Sequence, residues 1–525
     1  MQDNVINEKI YARKGALLFA IMLACFSVPL NFTAGPMAQP YIAASLPGSA
    51  VALSWITNAF FLSCGSTLMV AGVMADQYGR KKIFGIGLLI STVTSLLMPF
   101  SPSVWVLDLL RIPQGIAAAC AYAGGISILA QEFEGHTRAK IFSVIGITFG
   151  AGLAFGPTIA AVLITYFGWH AVFFGSTVLS VIALIVCLLC MHDSKDPNAK
   201  GLDKIGATLF TLMLALFTYA VIEAPVRGWL SPTVIVLLLV VALLLCLFIW
   251  VEKRIVHPML DLSLFSYPAF VGAQLLPLAA AYCYAVLLVI LPLRFIGIEQ
   301  MNALDAGILM IWFSGSLLFV PFLAASLTKW ISVGMLSGGG MVISIIGLMM
   351  LNTLPMGMHD WSMKLVLFII GFGVAVPWGL MDNLAVSVVP KEKAGVAIGI
   401  FGALRVSFDS TAIAIVGSLL ALFMSHSLTI ATSGLSATQI AGATAQLAAG
   451  AMEHASQLLP TVPHNQLISA YNYAFHQLIN VLIVLTSIST ALIFILLYRT
   501  KIGEGLEIDT TQKTAELSAC IEKNI

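Results

Sequence analysis

Gly72-Val-Met-Ala-Asp76-Gln-Tyr-Gly79-Arg80-Lys81-Lys82 forms a short polar loop between two apolar stretches, each long enough to cross a bilayer. The two glycines permit a tight turn or a close contact between helices. Three consecutive cations place such a loop on the cytoplasmic side of a membrane. The single acid, Asp76, needs a partner. This combination predicts a polytopic membrane protein in which this loop faces the cytoplasm.

The composition agrees with a membrane protein. Of 525 residues, 59% are hydrophobic and only 9% are charged, whereas about a quarter of the residues of a soluble protein are charged. The formal net charge of +1 provides no basic field that would indicate nucleic acid binding. The pair Cys187 and Cys190 lies within an apolar run without a nearby acid or histidine, so we interpret both as small core residues. No metal site is predicted.

Apolar runs of at least about 18 residues predict transmembrane helices. Fourteen runs qualify, near residues 15–36, 51–74, 82–100, 105–130, 140–166, 170–191, 204–224, 232–251, 268–294, 302–325, 330–352, 361–388, 394–424 and 470–498. With the N-terminus inside, 20 of the 25 Lys and Arg residues fall on inner segments. The outer side holds Arg227, Arg294 and Lys364, and the membrane holds Arg111 and Arg405. This asymmetry predicts that both termini are cytoplasmic.

The fourteen predicted spans divide into groups of six, two and six. The predicted units are an N-terminal bundle, two linker helices, a C-terminal bundle and a cytoplasmic tail, at 1–195, 196–262, 263–500 and 501–525. The external segment 425–469 carries no Lys or Arg, and its alanine-rich stretch Ser436 to Leu459 predicts a helix lying on the membrane surface. The loop from Pro321 to Trp330 occupies the position at which a degenerate second copy of the loop around Asp76 would lie.

The loop around Asp76 resembles the cytoplasmic signature loop of the major facilitator superfamily, here G-x-x-x-D-x-x-G-R-K-K. Three further motifs resemble the fourteen-span drug:proton antiporters of the QacA/EmrB group: Leu30-Asn31-Phe32-Thr33 in span 1, Leu110-Arg111-Ile-Pro-Gln114-Gly115 in span 4, and Gly152-Leu-Ala-Phe-Gly156-Pro157 in span 5. The resemblance implies an all-α integral membrane protein with the major facilitator fold. It also implies proton-coupled efflux of hydrophobic, cationic drugs or antiseptics across the bacterial cell membrane, driven by the proton gradient without a cofactor.

Ionisable residues inside a bilayer are costly and therefore indicate function. Asp108 precedes Arg111 by three residues on the same face of span 4, so the two are positioned to pair, and Asp108 is a further proton-coupling candidate. Arg111 either extends outward toward the membrane surface or, as the resemblance implies, helps to couple proton and substrate. Asp409 lies near the middle of span 13, one turn after Arg405. The pair is either a structural ion pair or a proton site whose access alternates between the two sides. Asp382 in span 12 is a second proton-site candidate or a polar contact of the helix end.

The remaining candidate residues form three groups. The conformational latch comprises Gly72, Asp76, Gly79 and Arg80, with a partner for Asp76 expected around Lys391 to Gly395. The antiporter hinge comprises Gly152, Gly156 and Pro157, although close helix packing would also explain these glycines. The predicted substrate cavity is lined by Asn31, Phe32, Trp55, Phe60, Tyr122, Phe149, Tyr282, Tyr284, Trp312 and Trp378.

One residue departs from the antiporter pattern. Asn31 stands where members of this group commonly have an acid, and asparagine does not titrate near neutral pH. This shifts proton carriage toward Asp409 or Asp382. The expected partners are small hydrophobic or cationic substrates, protons and the bilayer, and the sequence does not indicate an adaptor protein. The alternative function is a proton-coupled symporter or an exporter of a specific metabolite. Enzymatic motifs such as H-E-x-x-H and G-x-S-x-G do not occur in the sequence.

Overall fold

The computed structural model describes residues 2–133, 135–191, 203–255, 258, 260–358, 360–389, 394–431 and 435–497. Within these residues, 14 helical stretches are long and apolar enough to cross a membrane. Spans 1 to 14 are Lys14–Ser45, Ala50–Tyr78, Arg80–Phe100, Val104–Glu132, Val144–Phe167, His170–Cys190, Lys204–Arg227, Pro232–Glu252, Pro268–Ile298, Ala303–Leu327, Val333–Leu351, Trp361–Ala385, Gly399–Ile430 and His464–Leu497. The prediction of fourteen spans is confirmed.

Several helices extend beyond these spans or are interrupted within them. The first helix covers Gln2–Ser45 and continues through Pro36, where the sequence predicted its end. Span 5 belongs to a helix Gly135–Phe167, and span 13 to a helix Ala394–Ala431. The interrupted spans are 9, with π-helical turns at Ala281–Ala285 and Leu293–Ile298; 10, with a 3₁₀ turn at Gly315–Leu318; and 12, with a break between Trp361–Trp378 and Met381–Ser387.

Of the two linker spans, span 8 lies at the periphery of the bundle. Of the most apolar stretch of span 8, only 11% is buried inside the protein, compared with 83% of the corresponding stretch of span 9. Span 7 packs against span 8 and also against spans 2 and 13. Near its end, Glu223 pairs with Arg227 at 2.6 Å, and the hydroxyl of Ser418 in span 13 donates to the carbonyl of Val221. Span 7 therefore contacts both six-helix groups.

The two six-helix groups meet along two seams, span 2 with span 13 and span 5 with span 10. In the first seam, a Cβ on Gly65 would lie 3.0 Å from the backbone nitrogen of Ser407. In the second, the hydroxyl of Thr158 donates to the carbonyl of Gly307 at 2.8 Å. Small residues at these positions allow the helices to approach closely.

The segment 425–469, predicted to be external, differs from its prediction. Instead of one helix on the membrane surface, it forms two short helices, Ala437–Ala448 and Met452–Leu458, and the first buries Ile440, Ala443 and Leu447. We call the segment 435–463 the end cap. The Nε2 atom of Gln39 in span 1 donates to the carbonyl of Ala449 at 2.9 Å. The apolar face of the segment therefore packs on protein, because the end of the bundle leaves a surface for it to cover.

The backbone of Gly450 in the end cap lies against Gly297 of span 9, which belongs to the C-terminal group. Together with the bond from Gln39, this contact ties the end cap to both groups. Arg294, which was predicted on the outer side, lies at this end of span 9. It is 1% exposed and pairs with the buried Glu299 at 2.6 Å. Arg294 lies within the π-helical turn Leu293–Ile298, and its guanidinium is 4.3 Å above the ring of Phe475.

Candidate substrate cavity and charged network

A cavity of about 360 Å³ lies between the two six-helix groups, in the half of the bundle that contains the loop around Arg80. Its wall comes from spans 1, 2, 4, 5, 10, 12 and 13 and comprises Val28, Phe32, Cys64, Leu68, Tyr122, Gly146, Ile147, Phe149, Gly150, Leu317, Leu318, Pro321, Phe322, Ala325, Trp378, Gly379, Asp382, Gly402, Arg405 and Val406. Two residues of this wall, Phe322 and Ala325 in span 10, are exposed. A cavity of this volume suits a small organic molecule.

The break in span 10 shapes one wall of this cavity. Pro321 cannot donate a backbone hydrogen bond, and its ring excludes the regular helical bond to the carbonyl of Leu317. That carbonyl faces Gly150 of span 5, where a Cβ would lie 3.5 Å away. Gly146 has open space around it. The wall between spans 5 and 10 is therefore formed by glycines on one side and by a bent helix on the other.

Four of the predicted cavity residues line the cavity: Phe32, Tyr122, Phe149 and Trp378. Asn31 is 3% exposed and faces the interior of the N-terminal group. Phe60 is fully buried beneath Arg111, and Tyr284 stacks on Phe313, supporting Trp378 from behind at 5.6 Å. These three residues do not line the wall, because helix crossings bury residues that the sequence alone assigns only to a span.

Two predicted cavity tryptophans also lie away from the wall. Trp55 packs in the seam with span 7, with its ring 6.5 Å from that of Tyr219. Trp312 contacts Trp361 at 5.3 Å, at the end of the bundle opposite Arg80. Tyr282 is half-buried in span 9 and is not among the lining residues.

Arg405 lies on the cavity wall, with its guanidinium 3.9 Å above the ring of Trp378. Its Nη1 atom is 3.7 Å from Oδ1 of Asp382. The expected pair of Arg405 with Asp409 is not formed. An i,i+4 spacing on one helix makes a contact available, but Trp378 and Asp382 of span 12 offer the guanidinium an aromatic face and a carboxylate together. Sequence reasoning considered Arg405 only as a partner of Asp409 and missed its place on the wall.

Asp409 lies one helical turn beyond Arg405 on span 13 and is half-buried. It makes no hydrogen bond or ion pair of 4.0 Å or less with the residues that the structure describes. Its electrostatic neighbours are Arg405 on its own helix and Tyr284 of span 9. A carboxylate so placed can bind a proton without first breaking a bond.

Arg111 is fully buried and joins three helices. Its guanidinium donates to the carbonyl of Ile56 in span 2 at 2.8 Å, to the carbonyl of Asn31 in span 1 at 3.1 Å, and to Oε1 of Gln114 at 2.7 Å. It also lies 4.4 Å above the ring of Phe60. Five donors in a fixed planar arrangement suit three separate acceptors. The arginine and glutamine of the span 4 motif thus form one network.

Asn31 and Gln114 extend this network inside the N-terminal group. The side-chain oxygen of Asn31 accepts from Gln114 at 3.1 Å and from the hydroxyl of Ser176 at 3.0 Å, and its Nδ2 donates to the carbonyl of Ser27 at 2.8 Å. Gln114 also donates to Ser95 at 2.8 Å. The amide of Asn31 uses both its acceptor and its donor groups, and an acid would lack the donor.

Asp108 differs from its prediction. It was positioned to pair with Arg111, yet the guanidinium makes its three hydrogen bonds elsewhere. Both carboxylate oxygens of Asp108 are buried without a hydrogen-bond partner among the described residues. Its interaction with Arg111 is electrostatic only. The guanidinium donates instead to the carbonyls of Asn31 in span 1 and Ile56 in span 2, which lie across the helix contact from span 4.

The latch loop contains an ion pair of its own. Arg80 contacts Asp76 at 2.9 Å and donates to Oε1 of Gln131 at 2.7 Å, which joins the loop to the end of span 4. Gly79 has φ 118°, a conformation that favours glycine and permits the sharp turn between spans 2 and 3. Gly72 has no neighbour within 4 Å of a built Cβ. The partner of Asp76 was expected in the segment Lys391 to Gly395. Residues 391–393 of that segment lie outside the described residues.

The hinge glycines pack against span 1. A Cβ on Gly152 would overlap Pro29, and one on Gly156 would overlap the hydroxyl of Thr33. Pro157 lies inside the continuous helix Gly135–Phe167. The alternative explanation, close helix packing, therefore accounts for both glycines in this structure. A hinge role for this segment stays a prediction.

Comparisons with known proteins agree with this architecture. Residues 17–408 match the profile of the Major Facilitator Superfamily. The multidrug resistance protein Stp of Mycobacterium tuberculosis is 28% identical over 419 residues, 78% of this chain and 76% of that protein. The tetracenomycin C resistance and export protein of Streptomyces glaucescens is 27% identical over 411 residues, 77% of this chain and 75% of that protein. The probable actinorhodin transporter of Streptomyces coelicolor is 28% identical over 439 residues, 78% of this chain and 73% of that protein.

Solved structures show the same fold at low sequence identity. A bacterial homolog of the human lysosomal transporter Spinster superimposes with a TM-score of 0.62 at 15% identity, covering 92% of this chain and 96% of that chain. A peptide transporter in complex with sulfate gives a TM-score of 0.60 at 14% identity, with the same coverage of 92% and 96%. The fold prediction is confirmed.

Proposed function

We propose that this chain, which belongs to the major facilitator superfamily, exports hydrophobic cations in exchange for protons by alternating access. The observation that carries the proposal is the aromatic cavity between the two six-helix groups, with Asp382 on its wall and Asp409 one turn beyond Arg405. The chain is a membrane transporter with relatives named for multidrug resistance and export. An exporter of this kind must carry substrate out of the cell and a driving ion into it in each transport cycle.

The charges at the cavity support a cationic substrate. Among the described residues at or beside it, two carboxylates, Asp382 and Asp409, accompany one guanidinium, Arg405. With both carboxylates ionised, the cavity carries one net negative charge, and protonation of either removes it. A proton and an organic cation therefore compete for the same negative charge. Such competition is what an exchanger requires, because each ligand shifts the conformational equilibrium only by its differential affinity.

The distribution of Lys and Arg assigns the sides of the membrane. We place both termini and the loop around Arg80 in the cytoplasm of a bacterial cell, following the positive-inside rule. The cavity then opens toward the cytoplasm, and the end cap closes the outer end through Gln39 and Gly297. The structure corresponds in this proposal to the inward-facing state that loads substrate.

The alternative is a transporter dedicated to one metabolite. Two relatives are named for single compounds, actinorhodin and tetracenomycin C. Such an exporter would use the same cavity with narrower shape selection. A proton-coupled symporter remains the second alternative, and it requires proton and substrate to bind together rather than in competition.

Everted membrane vesicles containing the full chain test the proposal. After respiration has acidified the vesicle interior, addition of ethidium should dissipate the proton gradient, read by acridine-dye fluorescence, while ethidium accumulates inside. Exchange predicts both signals together, because each entering cation releases a proton. Substrate accumulation without proton loss would contradict proton exchange. Accumulation of a single metabolite only, in a panel that includes ethidium and tetraphenylphosphonium, would favour the dedicated exporter.

Replacement of Asn31 by aspartate should add a proton to the exchange cycle. Aspartate keeps the acceptor for Gln114 and Ser176, loses the donor to Ser27, and places a titratable group beside Arg111. We expect transport to persist with about one additional proton per substrate, because the new carboxylate adds one titratable group to the groups that already exchange protons. The measurement is the reversal potential of ethidium exchange in liposomes.

Asn58→Asp provides the matched control for this change. Asn58 is also buried and also donates to a carbonyl four residues earlier, that of Ser54 at 2.9 Å, but it lies outside the network of Arg111. Its substitution should leave the stoichiometry unchanged. Equal stoichiometry in wild type and Asn31→Asp would contradict a coupling role for this position.

A further inference from the structure

The Arg405 guanidinium occupies a site with the chemistry of an organic-cation site. It lies 3.9 Å above the ring of Trp378, which has the most electron-rich face among the aromatic side chains, and 3.7 Å from the Asp382 carboxylate. An aromatic face with an adjacent carboxylate is the recognition chemistry of quaternary and other organic cations. The site faces the cavity, since Trp378, Asp382 and Arg405 all line it.

The guanidinium is held loosely enough to leave. Its distance of 3.7 Å to Asp382 exceeds that of a hydrogen bond, and the Asp382 side chain is 59% exposed. By contrast, Arg111 and Arg294 are held by charged or neutral hydrogen bonds of 3.1 Å or less. Arg405 can therefore change partners at a lower energetic cost than either buried arginine.

The second partner available to Arg405 is Asp409. It lies four residues further along the same helix, within the reach of an i,i+4 ion pair, and it has no hydrogen bond with the described residues. Asp409 also faces Tyr284 of span 9, and Arg405 with Asp382 faces Tyr122 of span 4. Among the described residues that line the cavity, Arg405 carries the only cationic side chain, so its guanidinium is the charged group that can move between the two acids.

We propose that Arg405 is a tethered substitute for the substrate, and that an organic cation displaces it from Trp378 and Asp382 toward Asp409. This inference rests on the proposed function and adds the binding site and the coupling step. On arrival of the guanidinium, the O–H bond of protonated Asp409 breaks, its electron pair stays on the carboxylate, and the proton passes to water in the cavity. One positive charge enters the site for each proton that leaves, so the net charge of the cavity is conserved.

The test uses the full-length protein in nanodiscs at mildly acidic pH, with tetraphenylphosphonium as the probe. Its Kd and the protons released per cation bound are measured by calorimetry in two buffers of different ionisation enthalpy. In Arg405→Ala the internal competitor is gone, so the Kd should fall about tenfold, corresponding to one desolvated cation–π contact. Proton release should fall to near zero. Arg405→Lys keeps a displaceable cation and should preserve proton release.

Arg254→Ala is the matched control. Its guanidinium lies 4.1 Å above Trp250 at the end of span 8, with the same arginine–tryptophan stacking outside the cavity. Neither the Kd nor proton release should change. Arg405 is partly exposed and its removal leaves no buried charge, so we expect the alanine variant to fold. Should it fail to fold, Arg405→Gln carries the same expectation.

The outcomes separate this inference from the proposed function. Weaker cation binding by Arg405→Ala, as a purely structural role would give, overturns the inference. Undiminished proton release by that variant also overturns it and leaves proton exchange intact. Wild-type protein that binds tetraphenylphosphonium without proton release overturns the proposed exchange. Wild-type protein that does not bind this cation overturns the organic-cation site and the inference with it.

Discussion

Asp409→Asn should abolish transport driven by a pH gradient while leaving substrate binding in place. Asparagine preserves the size of the side chain but cannot release a proton. Asp409 makes no hydrogen bond with the described residues, so the substitution breaks no bond in the fold. We expect proton-driven ethidium uptake into everted vesicles to fall to the level of vesicles without the protein. Tetraphenylphosphonium should still bind, because Trp378 and Asp382 remain in place, although its Kd should rise because Arg405 loses Asp409 as its second partner.

The control for this prediction is Asp305→Asn. Asp305 is an exposed acid in the first turn of span 10, at the end of the bundle opposite Arg80, and it contacts Asn302. Its substitution should leave uptake unchanged. Asp409→Glu should retain part of the transport, since it restores a titratable group. Undiminished uptake by Asp409→Asn would contradict the assignment and would transfer proton carriage to Asp382.

The span arrangement could be predicted from the sequence because crossing a bilayer imposes a minimum apolar length on each helix. The same length rule could not locate helix ends that continue outside the membrane. Span 1 therefore ran on through Pro36 to Ser45, and span 13 continued to Ala431. The motif around Asp76 and Gly79 indicated a tight turn, and the positive φ of Gly79 agrees with it. The turn at Gly79 could be predicted because it depends on local sequence alone.

Ion-pair partners could not be predicted, because they depend on how helices cross. Spacing along one helix favoured pairs of Arg111 with Asp108 and of Arg405 with Asp409, yet both arginines found partners on neighbouring helices. The buried pair of Arg294 with Glu299 could not be predicted either, because Arg294 lies in a π-helical turn and sequence periodicity carries no signal for such a turn. The predicted span of each cavity aromatic residue was correct, but only Phe32, Tyr122, Phe149 and Trp378 face the cavity.

The network of Arg111 explains why a positive charge that makes no hydrogen bond to a carboxylate among the described residues remains buried in the N-terminal group. Its guanidinium satisfies the carbonyls of Ile56 and Asn31 and the side chain of Gln114, so three helix segments depend on one residue. The carboxylate of Asp108 lies in the same region without a hydrogen bond among the described residues. Removal of the arginine would leave that acid without its compensating charge. A buried charge in this position costs several kcal/mol unless it takes up a proton.

Arg111→Ala should therefore lower stability and transport together, by about 3–5 kcal/mol in the free energy of unfolding, the range for breaking a buried charge interaction. Arg111→Lys should recover only part of either, because one ammonium group cannot reach three acceptors in the fixed geometry of a guanidinium. The measurements are the melting temperature in nanodiscs and ethidium uptake into everted vesicles. Arg254→Lys at the bundle periphery is the control and should change neither. A lysine variant with the melting temperature and uptake of wild type would show that charge alone, rather than the three-way hydrogen bonding, accounts for this residue.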